Sequence, residues 1–225
     1  MARIRVVAQK EGHVVKQPTP PTRQGEITDV AARLFNERGF AGASMEDIAD
    51  ALGIKKPTLY HYVQSKAQIV GWIHEECVRA VHPSLTRYIA DGLPSTEILF
   101  LVARDILALL VDKPGYLRVY FENHRDLDSA EQERIVAMRD DYFGKVKIVL
   151  QNGQNAGDFK VEDVDIASLA YFGMVNWAYQ WYHSQGRVST EDLALQLWRI
   201  YIKGVSARPD SEALSLPASY GRVVS

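Results

Sequence analysis

The sequence predicts an all-α protein. Apolar residues recur at spacings of three and four along most of the 225 residues, which is the period of an amphipathic helix. Ser, Thr or Asp precedes several of these stretches and Gly or Pro follows them, as at helix beginnings and ends. No long run alternates apolar and polar residues, so we predict no sheet.

The composition is typical of a folded protein, with 47% hydrophobic and 24% charged residues. The length suits two modest domains or one large domain. The longest apolar candidate, residues 98–111, is interrupted by Arg104 and Asp105, so we expect no membrane span and no membrane partner. The single Cys77 excludes an intramolecular disulfide. Together with the lack of a signal-peptide pattern, this favours a cytoplasmic location.

The formal net charge of −2 hides an uneven distribution. Residues 1–22 carry a net +3, residues 23–72 are balanced and residues 73–225 carry −5. A nucleic-acid-binding surface would therefore lie towards the N-terminal end. Residues 1–22 also contain three prolines and little periodicity, which predicts a flexible basic arm. This arm is either an inert leader or a segment that reaches DNA.

The first two helices follow directly after the arm. One apolar stripe predicts a helix from Thr22 to Arg38, and Gly39 is the expected stop. Ser44 then caps a second helix and forms an approximate capping box with Asp47. The first stripe comprises Ile27, Val30, Ala31, Leu34 and Phe35, and the buried side of the second helix comprises Met45, Ile48, Ala49 and Leu52.

The third and fourth helices are separated from their predecessors by turn and cap residues. Gly53 makes a turn, and Pro57 lies in the first turn of a short helix that is predicted to end near Tyr62. Ser65 caps the next helix, which continues past Val81. Pro83 is expected to kink or break it.

The rest of the chain also reads as helical. Helices are predicted over residues 95–113, 116–125, 128–155, 163–184 and 190–205. Asp128 is the expected cap of the long third one, with Glu131 three residues later, and Ser189 with Asp192 is the expected cap of the last. Residues 207–225 contain two prolines and several serines, which predicts a loose tail.

Residues 45–62 carry the most chemistry. Two short helices joined by a tight Gly turn are the layout of a helix-turn-helix, whose second helix enters the major groove of DNA. Only residues near the beginning of that helix reach base edges. We therefore predict base contacts by Lys56, Pro57, Thr58 and Tyr60, which offer an ammonium donor, an apolar surface, a hydroxyl and a phenol.

Phosphate contacts are predicted for a second set of residues around these helices. Helix N-termini and cationic or hydroxyl side chains bind phosphate oxygens and set the register on DNA. The set comprises Ser44, Lys55, His61, Tyr62 and Lys66. The alternative is that Ser44 is only a helix cap and that the two adjacent lysines belong to a solvated surface.

Residues 24–72 resemble the DNA-binding domain of the TetR family. The matching segments are Ala31–Phe35 with Gly39-Phe40, Ile48–Ile54, Thr58–Tyr62 and Ser65-Lys66. The resemblance implies about nine helices. It implies a three-helix DNA-binding domain, residues 23–70, that reads a palindromic operator in double-stranded DNA, and a larger domain, residues 71–206, that dimerises and binds a small molecule. Lys55 departs from the pattern, because a small capping residue is usual there.

The same resemblance implies a homodimer built from the last two helices of each subunit. The predicted interface residues are Phe172, Val175, Leu193, Leu197, Ile200 and Tyr201. A symmetric interface accounts for a helix that is apolar over more than one stripe, but ordinary core packing does so as well.

An effector pocket is predicted from the aromatic density of residues 171–182 and from polar groups on apolar helices. Pockets are mostly apolar with a few polar anchors. The candidate residues are Arg118, Tyr120, His124, Arg139, Tyr142, Asn176, Trp177 and Trp181. Aromatic residues at helical spacing are more often core, and Arg118 could simply pair with Glu122 on the surface.

A looser resemblance concerns the effector. The patterns Met138–Tyr142, Gly157–Phe159, and Asn176-Trp177 with Trp181-Tyr182 are similar to TetR-type regulators of fatty-acid and sterol catabolism. That resemblance implies a CoA-linked effector, namely an acyl-CoA thioester. A different hydrophobic ligand, such as a drug or flavonoid, remains an alternative, as does a non-specific architectural DNA-binding protein, although such a protein is usually strongly basic.

An enzyme is not expected. The chain has no Gly-rich phosphate loop, no Gly-x-Ser-x-Gly segment and no His-x-x-x-His pair with a helical Glu. The adjacent acidic pairs Glu75-Glu76 and Asp140-Asp141 point to different sides of their helices. We therefore predict no catalytic residues, no metal site and no cofactor.

Overall fold

The computed structural model describes residues 22–127, 129–207 and 217–220. The predicted arm up to residue 21 and the predicted cap Asp128 lie outside these ranges. Nine α-helices lie within them: α1 (Arg23–Gly42), α2 (Met45–Ala51), α3 (Lys56–Tyr60), α4 (Lys66–Ala90), α5 (Ser95–Asp112), α6 (Tyr116–Glu122), α7 (Ser129–Asn155), α8 (Val164–Asn176) and α9 (Thr190–Val205). The described residues contain no strand, so the predicted all-α fold is confirmed.

The helices α1 to α3 form the small N-terminal domain, and its turns follow the sequence signals. Gly39 adopts a left-handed φ of 75°, so the regular part of α1 stops there, although helical turns continue to Gly42. Ser44 and Asp47 form the predicted capping box of α2. Gly53, with φ of 67°, makes the turn towards α3.

The helix α4 connects this domain to the rest of the protein. It runs from Lys66 to Ala90 with Pro83 inside it, so of the predicted kink or break the break is wrong, and the kink stays a prediction. A proline within a helix removes one hydrogen bond and costs about 3 kcal/mol. Val81 and Leu85, on either side of Pro83, are buried, and α4 packs against α1, α5, α6 and α7. This packing offsets the local cost.

The helices α5 to α9 form the larger domain around α5. Its central helix packs against α7, α8 and α9, and Leu99, Phe100 and Leu107 are fully buried. None of the helices in the described part of the chain is both long and apolar enough to cross a membrane.

Two predicted helices are shorter than expected. The helix that was predicted over residues 163–184 ends at Asn176 and continues only as a 3₁₀ turn, Trp177–Gln180. The helix predicted over residues 116–125 ends at Glu122 and is followed by the 3₁₀ turn His124–Asp126. Trp177 and Trp181 are exposed. Packing therefore contributes little to extending α8, because helices in proteins are stabilised mainly by a buried side.

The C-terminal segment is packed where the structure describes it. The Tyr220 hydroxyl donates to Asp192 Oδ1 at 2.8 Å, and its ring lies 6.1 Å from that of Phe100. Pro217 and Ser219 are buried. These four residues therefore lie against α5 and α9 and are not loose, contrary to the sequence prediction. The predicted cap of α9 by Ser189 is confirmed.

Candidate functional site

The helix α3 presents the predicted base-contacting residues together. Lys56, Pro57, Thr58 and Tyr60 are all exposed, whereas Leu59 between them is fully buried. Leu59 and the following Val63 pack into the core shared with α1 and α2. Burial of this one side fixes α3 and leaves the other side free to enter a groove.

Carboxylates of α2 lie close to two basic side chains, Lys56 and Arg38. Lys56 Nζ lies 3.4 Å from Glu46 Oε2 in α2, with both side chains largely exposed. Asp47 pairs with Arg38 at 2.8 Å, and hydrogen bonds from Ser44 lower the pKa of the Asp47 carboxyl. The acidic residues of α2 therefore partly neutralise this part of the domain, which is consistent with its balanced charge.

The five predicted phosphate-contacting residues differ in their exposure and in the hydrogen bonds that they already make. Lys55 and His61 are exposed, and the Tyr62 ring is half-exposed with the Arg23 guanidinium 5.9 Å from its centre. Ser44 uses its hydroxyl to cap α2 and to bond Asp47. A carboxylate next to this helix N-terminus opposes a phosphate there.

Lys66 has a structural role that the sequence did not predict. Its ammonium donates to the carbonyl oxygens of Phe40 at 2.6 Å and Ala43 at 2.9 Å. It also lies 4.4 Å from the centre of the Phe40 ring. An ammonium has three donors, so one remains for a phosphate. Lys66 ties the beginning of α4 to the end of α1.

The larger domain contains an apolar cavity of about 420 Å³. It lies between α4, α5, α6, α7 and α8. Four of the predicted pocket residues line it: Tyr120, Arg139, Tyr142 and Asn176. The other lining residues were not predicted; they are Cys77, Val78, Val81, Ile106, Leu109, Leu117, Phe121, Asp140, Phe143, Leu169 and Phe172.

The polar groups of the cavity are mostly uncharged. Burial raises the pKa of the Tyr120 hydroxyl to about 12 and raises the pKa of the Cys77 thiol, so both stay protonated near neutral pH. Arg139 and Asp140 are the charged lining residues; they pair with each other at 3.4 Å and are more than half exposed. The charge therefore lies at the open end of the cavity.

His74 lies next to the cavity, in α4. Its ring packs against that of Tyr120 in a tilted arrangement, with centres 4.7 Å apart and planes at 33°. Burial lowers its pKa to about 4, with nearby His124 as a smaller cause. His74 is therefore neutral near neutral pH, and a charge at this position would be unfavourable.

The structure places the other four predicted pocket residues outside the cavity lining. Arg118 pairs with Glu122 at 2.9 Å, which was the alternative interpretation. His124 is exposed and lies near the Phe121 carbonyl oxygen. Trp177 and Trp181 are exposed at 61% and 46%. The aromatic residues of the segment 171–182 therefore lie partly on the outer surface and partly around the cavity.

The predicted interface residues also separate into two groups. Val175, Leu193 and Tyr201 are buried within the single chain, and Phe172 lines the cavity and stacks on Phe143 at 5.4 Å. The first three are therefore core residues within one subunit, and Phe172 is a half-buried cavity residue. Leu197 is half-buried, and Ile200 is 62% exposed.

Large apolar side chains are nevertheless exposed on each of the last two helices. On α8 and the turn after it, Ile166, Leu169 and Trp177 are all more than 60% exposed, and Ile200 is the exposed apolar residue of α9. We call these four residues the α8–α9 stripe. Ile166 and Leu169 are three residues apart and therefore lie on one side of α8. The two helices are neighbours, and exposed apolar residues on neighbouring helices are candidates for an association surface.

The small and large domains meet through α6. The Tyr116 hydroxyl donates to Asp29 Oδ1 at 2.6 Å, and Arg118 Nε donates to Asn36 Oδ1 at 2.9 Å. Gly115 has φ of 86°, and a Cβ there would lie 2.5 Å from the Ala32 carbonyl oxygen. The beginning of α6 therefore contacts the backbone of α1 directly.

Within the described residues, no group of three or more His, Cys, Asp or Glu side chains could hold a metal ion. The fold defines a class of protein: a helix-turn-helix regulator whose larger helical domain contains an apolar cavity.

Comparison with known proteins identifies the family. Residues 27–71 match the profile of the bacterial regulatory proteins of the tetR family, and residues 92–205 match that of the tetracyclin repressor-like C-terminal domain. The chain belongs to the TetR family of transcriptional regulators.

Individual relatives are regulators too. The HTH-type transcriptional repressor KstR2 of Rhodococcus jostii is 27% identical over 188 residues, which is 82% of this chain and 92% of that protein. The structure of KstR2 of Mycobacterium tuberculosis, a ketosteroid transcriptional regulator, has a TM-score of 0.76 at 21% identity and covers 82% of this chain and 95% of its own. AibR in complex with isovaleryl coenzyme A and operator DNA has a TM-score of 0.71 at 24% identity, covering 80% and 97%.

Proposed function

We propose that this protein is a repressor that binds a palindromic operator as a homodimer and leaves it when a small, largely apolar effector fills the cavity. The observation that carries the proposal is the position of α6. Leu117, Tyr120 and Phe121 line the cavity, while Tyr116 and Arg118 of the same helix bond α1. A molecule bound in the cavity therefore contacts and displaces α6, the helix that is hydrogen-bonded to the DNA-binding domain.

The DNA contacts follow from the exposed side of α3. Lys56 and Thr58 are the proposed base-reading side chains, and Pro57 and Tyr60 add apolar and phenolic contacts. We expect Lys56→Ala and Thr58→Ala each to cost roughly 1–3 kcal/mol of binding to the matched operator and to relax base preference. Lys160, which is exposed on the larger domain, provides a control. Lys160→Ala should change neither the affinity for the operator nor the base preference.

A homodimer through the α8–α9 stripe is the second part of the proposal. The DNA-binding domain has no net charge over residues 23–72, so one copy would gain little from phosphate attraction. Two copies on a palindrome combine their contacts, because a symmetric dimer matches a symmetric site.

A CoA thioester is the proposed effector class. The cavity suits an apolar acyl group, and Arg139 stands at its open end. The relatives support the choice: KstR2 is called a ketosteroid regulator, and AibR was crystallised with isovaleryl coenzyme A. Another hydrophobic ligand, such as a drug or flavonoid, remains the second candidate because the lining is mainly apolar.

The test combines native mass spectrometry of the purified protein with operator release. Fluorescence anisotropy of labelled operator DNA would be followed during titration with CoA thioesters, the matching free acids and CoA itself. We expect release by thioesters alone. Release of the operator by free acids or by unrelated hydrophobic compounds would reject a thioester as the effector. If no compound releases the operator, including any ligand found by native mass spectrometry, the proposal of an effector-controlled repressor is rejected.

A salt titration separates this function from non-specific DNA binding. Affinity for the matched and the scrambled operator would be measured between low and moderate salt. A sequence-specific regulator keeps a large affinity ratio at every salt concentration, whereas an architectural protein shows the same steep dependence on both. Equal affinities would overturn the regulator proposal.

A further inference from the structure

A second cavity lies where the two domains meet. It has a volume of about 460 Å³. Its wall is formed by Asn36 of α1, by residues of the segment 109–118 at the end of α5 and the beginning of α6, and by residues of the segment 179–185 after α8. We call it the junction cavity.

The wall of the junction cavity is mostly polar and rich in hydrogen-bond donors. Its charged and strongly polar side chains are those of Asn36, Lys113, Arg118, His183, Ser184 and Gln185, and no Asp or Glu is among the lining residues. By contrast, the apolar cavity has Asp140 next to Arg139 in its wall, and a third cavity, beside Lys147, is lined by three acidic residues, Glu162, Asp163 and Asp165. The junction cavity therefore differs from these two in presenting cations without carboxylates.

Arg118 is held in place and still has donors to offer. Its Nε donates to Asn36 Oδ1 at 2.9 Å and its Nη1 donates to Glu122 Oε1 at 2.9 Å. The guanidinium also lies 5.7 Å from the centre of the Tyr179 ring. These bonds use two of its five N–H donors, so three remain. A guanidinium fixed in this way loses little freedom when it binds an anion.

Lys113 supplies a second cation from the end of α5. Its Nζ lies 3.3 Å from Asp29 Oδ1 and 3.7 Å from Glu76 Oε1. An ammonium has three donors, so one remains when both carboxylates are bonded. Asp29 Oδ1 also accepts from the Tyr116 hydroxyl at 2.6 Å, so Lys113 shares this acceptor.

The nearby carboxylates decide which kind of anion fits. Asp29, Glu76 and Glu122 are not lining residues, but they offset the net charge of the two cations. An anion in the cavity therefore gains mainly from directed, charge-assisted hydrogen bonds. A phosphate group, with several acceptor oxygens, can bond donors on different segments of the wall at once, whereas a carboxylate has only two oxygens.

We propose that the junction cavity is a binding site for a phosphate group, held by Lys113, Arg118 and the side chains of residues 183–185. This site is separate from the apolar cavity of the proposed function, although Leu109 and Leu117 line both. The phosphate belongs either to a ligand of its own or to the polar end of a ligand whose apolar part fills the neighbouring cavity. Both sources share the same chemistry at Arg118.

The first test is titration calorimetry of the full-length protein with sodium pyrophosphate, without divalent cations and at an ionic strength held constant with NaCl. Arg118→Gln should weaken binding about tenfold or more, which is the size of a hydrogen bond to a charged group. Arg79→Gln is the matched control, because Arg79 also pairs with a Glu four residues away and is exposed outside the wall. It should bind pyrophosphate as the wild type does.

A second pair of variants leaves α6 untouched. Ser184 is exposed in the turn after Tyr182, so substitutions there should leave the Tm unchanged. Ser184→Asp places a negative charge in the wall, and Ser184→Asn has nearly the same size without the charge. We expect Ser184→Asp to weaken pyrophosphate binding several-fold relative to Ser184→Asn. Equal affinities in these two variants, with wild-type affinity in Arg118→Gln, would overturn the proposal.

Propionyl-CoA separates the two sources of the phosphate. If pyrophosphate binds and its affinity follows Arg118 and Ser184, the site takes a phosphate ligand of its own. If only propionyl-CoA binds and the same variants weaken it, the phosphate is the polar end of a larger ligand.

Other surfaces could also attract these probes, so two further variants locate the binding. Loss of pyrophosphate binding in Lys56→Ala but not in Arg118→Gln would place the anion on the DNA-binding surface. Loss of propionyl-CoA binding in Arg139→Gln but not in Arg118→Gln would place the phosphates at the mouth of the apolar cavity. Either result, or no binding of both probes, would overturn this inference. The proposed function would still stand if an effector releases the operator.

Discussion

Lys66 and Lys55 flank α3 and differ in their surroundings. Lys66 bonds two carbonyl oxygens at the C-terminal end of α1, while Lys55 is exposed and has no side-chain capping bond. We expect Lys66→Ala to lower both the Tm and the affinity for every DNA sequence, because it removes a structural tie and a cation. Lys55→Ala should reduce the salt slope of DNA binding by about one and leave the Tm unchanged.

These two variants are controls for each other. Thermal unfolding and salt-dependent anisotropy on matched and scrambled operators would measure both properties. A change of base preference in Lys66→Ala would contradict the assignment, as would an unchanged Tm.

His74 predicts a pH dependence of stability. Its pKa is about 4 in the folded protein against an ordinary value of 6.5, so between these values the unfolded chain binds the proton and the folded chain does not. The free energy of unfolding should therefore have its full value above pH 6.5, where His74 is neutral in both states. It should decrease as the pH falls from 6.5 towards 4. The loss is roughly 3 kcal/mol over the whole range.

The check is a denaturant series at several pH values on wild type and His74→Phe, which keeps an aromatic ring beside Tyr120. The difference between the two proteins isolates His74 from the carboxylates that titrate in the same range. Parallel pH profiles would show that His74 is not the cause.

At the scale of elements, the approach of α6 to α1 depends on Gly115. Gly115→Ala places a Cβ at 2.5 Å from the Ala32 carbonyl oxygen, at a φ of +86°. Gly92 has a φ of +67° with no atom within 4 Å of its Cβ position. Both variants carry the conformational cost of a non-glycine residue at positive φ, about 1 kcal/mol. Only in Gly115→Ala does the new Cβ also require a shift between the backbones of α1 and the beginning of α6.

We therefore expect a larger Tm loss in Gly115→Ala than in Gly92→Ala, together with weaker operator binding or a changed response to effector. Thermal unfolding and operator titrations of both variants would test this. Equal Tm losses with unchanged operator binding would indicate that the contact between α6 and α1 has no part in the regulation.

At the scale of the whole molecule, the α8–α9 stripe predicts the assembly. Ile200→Lys places a charge in each of two copies of the same surface, so the dimer should dissociate at micromolar concentration. Binding to a full palindrome should then fall towards that of a half-site. Val111 on α5 is also exposed, at 46%, and Val111→Lys should leave the assembly unchanged. Sedimentation velocity measures the outcome; a monomeric wild type or a dimeric Ile200→Lys would reject this interface.

Much of the small domain could be predicted from the sequence. Ser44 with Asp47, Gly39 and Gly53 act locally, because caps and positive-φ turns depend on residues within one or two turns of a helix. The exposed positions of α3 followed from the same signals. The role of Lys66 could not be predicted, because its acceptors are carbonyl oxygens more than twenty residues away.

The sequence by itself determined that this chain is helical, where most helices begin, and that α3 presents Lys56 and Thr58. Only the tertiary structure decided which apolar residues meet one another. Helical spacing marks a side of a helix but does not say what covers it. Thus Phe172 faces the cavity while Trp177, five residues later, is exposed, and Val175 is core.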